Sequence, residues 1–328
     1  MLTTKETVLG FLEENRGHPI SGAAIARSLN ISRAAVWKAI EELRKAGHSI
    51  DAATNRGYSL AESSDLLSVE GILLESEGLP LAREQIHIFK TIDSTNHIAK
   101  KMAVEGAPHG SVFLAEEQTQ GRGRRGRSFC SPSGSGLYMS ILLRPEGNTE
   151  QAILTTSAAA VAVSRALSKL TGLDAKIKWV NDIFIHGKKV CGILTEAVSD
   201  FESGSIEALV LGIGINVSTK EEAFPEDVRA VAGSLDLETG VKPSRNALAA
   251  AVLREVFALA ANPKPEEFME EYRSRCFLLG QDILVLPGGA DSYEATAISI
   301  DDRGALIVET KKGKRQTLNS GEVSVRPR

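Results

Sequence analysis

The sequence predicts an α+β chain of three domains, and three observations carry that expectation. Short runs of helix-spaced apolar residues fill the first sixty positions, hairpins and helices interleave through the long middle, and the last fifty residues change to short alternating strands. At 328 residues there is length enough for two or three domains and a sizeable core.

In the first segment Val8, Leu9 and Leu12 lie at helical spacing, and Gly17-His18-Pro19 ends that helix. Ser21 is a good N-cap for a second helix running to about Leu29, with Ile20 and Ile25 placed as a hydrophobic staple. Ser32 caps a third helix whose core stripe is Val36, Ile40 and Leu43, and Gly47 sits where a left-handed end residue belongs. Two short helices joined by a tight turn (Ser21 to Ala46), followed by an Asn55-Arg56-Gly57 hairpin turn, form the pattern of a winged helix-turn-helix over residues 1–63. The third helix would offer Ser32, Arg33 and Lys38 to DNA, with Arg56 at the wing tip. A small helical domain that binds protein, or nothing, is the plainer alternative. Met1 to Ser63 carries eight Lys and Arg against seven Asp and Glu, so one copy should hold phosphates weakly. Sequence-specific binding therefore points to a dimer on a palindrome.

Ala61 to Asp65 is short and polar and is placed as a linker, with a second domain over 66–276. There Leu66 to Gly78 suits a helix and Gln85 to Lys90 a strand. Ser94-Thr95-Asn96 opens a helix running to about Val104; Ser94 is explained equally by capping or by hydrogen bonding to a small polar ring. Strands Ser111 to Glu116 and Leu137 to Leu143 flank Gly121-Arg122-Gly123-Arg124-Arg125-Gly126-Arg127, which is poor helix and poor strand. Such a loop is either a solvated basic patch or a clamp for polyphosphate, since guanidinium groups stay charged and grip phosphate bidentately. The acidic balance of the rest of the chain favours the clamp.

Thr149 to Leu170 is an Ala-rich helix closed by Gly172. Lys176 to Val180 then leads through Asn181-Asp182 to a hairpin turned at His186-Gly187, with Lys189 on the return strand. On generic grounds Lys188 and Lys189 are solvated edge charges. Ile206 to Val217 is a buried strand in which Gly212 and Gly214 mark either a bulge or close approach of a ligand or another backbone. Ser244 to Ala261 and Pro265 to Arg275 are read as amphipathic helices. No GxGxxG or Walker A motif is present, so any nucleotide is held by another device. From Phe277 onward, alternating strands at Asp282–Leu286, Tyr293–Ile300, Ala305–Glu309, Arg315–Leu318 and Val323–Val325, with Gly-containing turns between them, suggest a small β-barrel over 277–328.

Net charge −4 and a pI near 6.0 argue against a chain-wide nucleic-acid coat but leave room for a local DNA site. Three scattered cysteines, Cys130, Cys191 and Cys276, disfavour a disulfide framework or structural zinc. The opening MLTTKETVLG has no signal core, and no apolar run approaches the ~20 residues of a membrane span. A cytoplasmic protein that does not engage membranes is expected.

GRGRRGR followed by SPSGSGLYMSILL resembles the ATP-handling loop of the biotin-protein ligases, and the segments above fit that family in order over nearly the whole chain. The resemblance extends to bifunctional members that also repress the biotin operon. It implies a central ligase domain with a mixed sheet and a C-terminal barrel of the Src-homology-3 kind. It also implies ATP-dependent formation of biotinoyl-AMP, then transfer of biotin to a lysine of biotin carboxyl carrier protein. By that resemblance Ser94, Thr95, Asn96, Gln118, Gly121, Arg122, Arg124, Lys189, Gly192, Gly212 and Gly214 surround biotin, with Lys189 on its carboxylate. Arg124, Arg127, Phe129, Asn181, Asp182 and Asn216 hold ATP or the adenylate. Lys189, Arg122 and Arg124 are the catalytic group, and Asp182 is a lone candidate for magnesium. The loop is expected to be disordered when empty and to fold over its ligands. KWVND resembles the family's KWPND, with Val180 where proline is usual. Operator DNA, a homodimer of the adenylate-bound form and the carrier protein are the implied partners. The rivals are a winged-helix factor whose second domain only senses a small molecule, and a lipoate or octanoate ligase, which would not call for Ser94, Thr95 and Gln118.

Overall fold

The computed structural model describes residues 2–53, 57–144, 149–199, 205–261, 265–287, 291–319 and 323–327. The chain divides into two compact units, Met1–Arg83 with Ser244–Ala251, and Glu84–Pro243 with Val252–Arg328.

In the first unit α1 (Thr4–Glu14) begins with a capping box between Thr3 and Glu6. α2 (Gly22–Ser28) and α3 (Arg33–Ala46) follow, capped by the hydroxyls of Ser21 and Ser32, and Gly47 ends α3 at φ 109°. The hairpin β1 (Ile50–Ala53) and β2 (Gly57–Leu60) pairs antiparallel. Val8, Leu12, Ile25, Val36, Ile40 and Leu60 share one core, against which Ile20 packs. Asn55 and Arg56 lie outside the described residues. α4 (Val69–Glu75) is shorter than the predicted 66–78 because Ser68 caps it, accepting from Gly71 N–H. The expected linker is tied down: Asp65 accepts from the Arg245 backbone at 2.8 Å, and the Ser68 N–H donates to Asn246. Residues up to Arg83 accordingly group with the first unit.

The second unit is built on a seven-stranded mixed sheet. In chain order it comprises β3 (Ile86–Phe89), α5 (Thr95–Val104), β4 (Val112–Ala115), β5 (Gly136–Leu143), α6 (Thr149–Thr171), β6 (Lys176–Lys178), β7 (Asp182–Ile185), β8 (Lys188–Ser199) and β9 (Ile206–Asn216). The strand order is β3-β4-β5-β9-β8-β7-β6, parallel between β3 and β4 and antiparallel elsewhere. Short helices α7 (Glu226–Arg229) and α8 (Leu235–Thr239) precede α9 (Arg245–Ala261) and α10 (Pro265–Arg275). α9 was expected to be amphipathic, yet it buries Leu248, Ala249, Ala250, Val252 and Leu253, positions that no single helical face can hold.

β10 (Asp282–Pro287), β11 (Tyr293–Ile300), β12 (Leu306–Thr310), β13 (Arg315–Leu318) and β14 (Val323–Pro327) form one antiparallel sheet in the order β13-β12-β11-β10-β14. Gly304 at φ 79° and Gly313 at φ 74° make two of the predicted turns; Gly288 and Gly289 lie outside the described residues. Among the described residues the pairing runs open from β13 to β14, and the expected closure into a barrel is not part of it. This sheet meets the central one through Trp179, whose buried indole N–H donates to Gly304 O at 2.9 Å, and through Phe277 edge-on to Phe184.

Candidate active site

Alternate residues of a strand face the same side, so Gly212 and Gly214 share one face of β9. Gly212 is paired with Ser140 of β5 and Leu194 of β8, and Gly214 with Tyr138 and Gly192. The register runs unbroken there, so the bulge reading falls. A Cβ at Gly212 would lie 2.2 Å from Asn96 Oδ1, and one at Gly214 would lie 2.6 Å from the Phe129 ring. The glycines therefore make room for the protein's own side chains as well as lining the cavity described below.

At the start of α5, Ser94 occupies the N-cap position, but its hydroxyl makes no cap hydrogen bond; its N–H donates instead to Asp93 at 2.6 Å. Gln118 Oε1 accepts from the Thr95 N–H at 2.9 Å and from the Thr95 hydroxyl at 3.1 Å, while Nε2 donates to Ser131. Ser140, fully buried, reaches both Thr95 Oγ1 at 2.8 Å and Asn96 Oδ1 at 2.6 Å. Asn96 Nδ2 donates to Leu194 O and to Glu196, which Lys100 also neutralises. Both amide hydrogens of Asn96 are thus committed inside the protein, whereas the Ser94 hydroxyl and one Gln118 N–H are not spent on these bonds. Burial raises the Glu196 carboxyl, but the bonds from Lys100 and Asn96 and the charges of Lys100 and Arg122 more than offset it, leaving its pKa below the ordinary value. Ser131, Ser140, Lys100 and Glu196 were not foreseen. A lone serine inside the apolar run LYMSILL was the available signal for Ser140.

The arginine-glycine segment folds as a narrow loop. Phe129 N–H donates to Gly121 O at 2.8 Å, Gly123 N–H donates to Arg127 O at 2.7 Å, and Arg122 pairs with Ser128. One 3-10 turn, Arg124–Gly126, makes the tip, with Arg125 and Gly126 in the left-handed region. Gly121 has no room for a side chain, since a Cβ would sit 2.3 Å from Phe129 O. Arg124 donates to Asn181 Oδ1 at 3.0 Å, and Arg125 to Leu286 O at 3.3 Å. Burial pulls the Arg124 pKa down against the upward pull of Asp182. The guanidinium stays charged at any working pH.

The β7–β8 turn at His186 and Gly187, φ 49° and 80°, brings Lys189 back beside Asp182, with 2.7 Å between Nζ and Oδ1. Lys189 is therefore ion-paired in the site, which corrects the generic reading of a solvated edge charge. Its backbone is held on both sides by the crossing segment 231–233, through Lys189 N–H to Val231 O and Gly233 N–H to Lys189 O. Asn216 Nδ2 donates to Gly233 O, while its buried Oδ1 has no hydrogen-bond partner among the described residues. Phe129 packs edge-on to Tyr138 and against the Gly192 and Gly214 positions. The Trp179–Val180 peptide is cis.

One cavity of about 920 Å³ brings together every predicted biotin and ATP residue except Gly121. Its charged lining is Arg122, Arg124, Arg125, Arg127, Lys176, Lys178 and Lys189 against Asp182 and Asp227, a balance suited to anions. Asp182 is already paired with Lys189. Among the described residues no group of three or more His, Cys, Asp or Glu could hold a metal. In the first unit Ser32 spends its hydroxyl on Ala35 N–H, while Arg33 and Lys38 are exposed on α3. Among the described residues no helix is long and apolar enough to cross a membrane.

Residues 88–216 match the biotin/lipoate A/B protein ligase family, 4–59 an HTH domain and 278–326 the biotin protein ligase C-terminal domain. Fold and site thus define a protein ligase of the biotin/lipoate type joined to a helix-turn-helix module. There is 33% identity to the bifunctional ligase/repressor BirA of Bacillus spizizenii, covering 97% of this chain and 98% of that protein. The Escherichia coli protein of the same name is 32% identical, covering 93% and 92%. Among solved structures, the biotin protein ligase from Aquifex aeolicus in complex with biotin and ATP matches at TM-score 0.63 and 29% identity, covering 74% of this chain and 99% of that one. The chain belongs to the family of bifunctional biotin ligase/repressors.

Proposed function

We propose that the protein is an ATP-dependent biotin-protein ligase that also represses transcription, with biotinoyl-AMP as both intermediate and corepressor. The observation that carries this is the meeting of a cationic loop and Lys189 with a neutral hydroxyl-amide cluster in one cavity. A biotin carboxylate oxygen attacks the α-phosphorus of ATP; the new O–P bond forms as the α–β bridge breaks and pyrophosphate leaves. Two anions must touch, so the protein's task is positional and electrostatic. Arg122, Arg124 and Arg127 neutralise phosphates and carboxylate, and Lys189, held ready by Asp182, hydrogen-bonds the attacking oxygen. The Ser94 hydroxyl and Gln118 amide face the ureido ring, where an unpaired donor or acceptor costs ~1–3 kcal/mol and so disfavours a fatty acid. Asn96 is assigned to holding that cluster in place. Magnesium would enter with ATP as part of the substrate; Asp182 is the carboxylate that would hold it, and the ion would supply charge neutralisation to the phosphates.

In the second step a lysine amine of a biotin carboxyl carrier protein attacks the acyl carbon and AMP departs. The loop meanwhile excludes water from a hydrolysable anhydride. Adenylate occupancy promotes a homodimer that spans two operator half-sites, so ligand and DNA binding share a coupling free energy. Pyrophosphate release from ATP, measured with biotin, lipoate or octanoate, tests the enzyme reading. Release with biotin alone is expected, and none with biotin would overturn it.

A further inference from the structure

The outward face of α3 carries a residue that a phosphate-binding surface does not explain. Trp37 is 59% exposed, on a helix whose Val36, Ala39, Ile40 and Leu43 are all buried. Helical spacing sets it one turn beyond Arg33 and Ala34 and next to Lys38, all of them exposed. Among the described residues Lys38 is paired only with Glu42, at 4.0 Å, both well exposed, a contact worth little. This face is a broad apolar plate flanked by two cations.

We propose that Trp37 reads thymine in the operator by covering the C5-methyl group at the floor of the major groove, with Arg33 and Lys38 on the flanking phosphates. The inference rests on the DNA-binding reading and deepens it. The major groove offers one apolar base feature, the thymine methyl, and hydrogen-bonding edges elsewhere. An indole has a single donor and is otherwise apolar, so its wide face suits the methyl and suits phosphate oxygens poorly. The flanking cations favour a polyanion over an apolar protein groove. Trp37 thus supplies specificity in a module too nearly neutral to gain it from charge.

The probe is a duplex selected from a random pool by the full-length protein in the presence of biotin and ATP. Each thymine is then replaced in turn by deoxyuridine, which lacks only the methyl. At one or two positions per half-site the wild-type protein should lose about fourfold in affinity per methyl. Trp37→Ala should bind thymine and uracil duplexes equally, and Trp37→Phe should retain part of the preference. The salt dependence of binding should not change, because no charge is removed. The chain has two tryptophans, Trp37 and the buried Trp179, so a shift in emission on binding that is absent from Trp37→Phe reports Trp37. Circular dichroism of each variant checks that the helices persist. Indifference of the wild type to every uracil substitution, or an equal thymine preference in Trp37→Ala, overturns the inference while DNA binding stands. Failure to select any duplex overturns the DNA-binding reading and this inference with it.

Discussion

Gly212→Ala adds one methyl and should cost far more than a methyl. Its Cβ would stand 2.2 Å from Asn96 Oδ1 and 2.8 Å from Cγ, so the amide must retreat by about 1 Å to reach ordinary contact. Asn96 is held by three bonds, to Leu194 O at 3.2 Å, to Glu196 at 2.8 Å and from Ser140 at 2.6 Å, and no retreat preserves all three. At ~0.5–1.5 kcal/mol for a neutral bond and ~1.5–3 for one to a carboxylate, with some relaxation, the loss is about 2–4 kcal/mol. Urea unfolding followed by the buried Trp179 reads this in the second unit. Because Ser140 also reaches Thr95, KM for biotin should rise several-fold with kcat less affected. In an Asn96→Ala background the clash has no object, and Gly212→Ala should then cost under about 0.5 kcal/mol. A single mutant within 0.5 kcal/mol of wild type, or simple additivity of the two changes, would refute the role given to this glycine.

Gly214→Ala meets the Phe129 ring instead and should raise KM for ATP more than KM for biotin, a contrast with Gly212→Ala that steady-state kinetics can read. Lys189→Met should abolish biotin-dependent pyrophosphate release while leaving the unfolding midpoint close to wild type; full release would refute its role. Arg124→Ala should slow adenylation by ~10²–10³-fold, the usual effect of losing one preorganised donor, as measured in single-turnover assays. Burial, with Arg16 and Lys5 nearby, lowers the His48 pKa to about 4 from its ordinary 6.5. The unfolded chain therefore takes the proton first, and this contribution is whole above pH ~6.5 and drains away as pH falls towards 4. Discounted for partial solvation it is worth about 1–2 kcal/mol. His48→Gln should flatten that stretch of the thermal-midpoint profile, distinct from the lower window of Glu6, whose pKa its Thr3 bonds pull down to about 2.

Local chemistry was readable where it is short-range. Ser21, Ser32 and Gly47 signal helix ends because a cap needs only its next three or four residues, and all three act as read. The arginine-glycine loop stood out by its composition, whereas Lys189 was singled out by resemblance, since an edge lysine looks the same in sequence whether it is solvated or ion-paired. Asn96 meets Leu194 98 residues away, and no spacing rule reaches that far. The meaning of Gly212 and Gly214 was hidden for the same reason: the two-residue interval announces one face but not who stands over it. The late start of α4 reflects Asp65 and Ser68 turning to Arg245 and Asn246, about 180 positions on.

The crossing segment at Val231–Gly233 touches Lys189 on one flank and, through Gly233 O, Asn216 on the other. A single stretch of main chain therefore sets the span between the group assigned to the vitamin's acid end and the group assigned to the nucleotide. Slack in that stretch would not weaken one substrate alone; it would change the distance across which the two must meet.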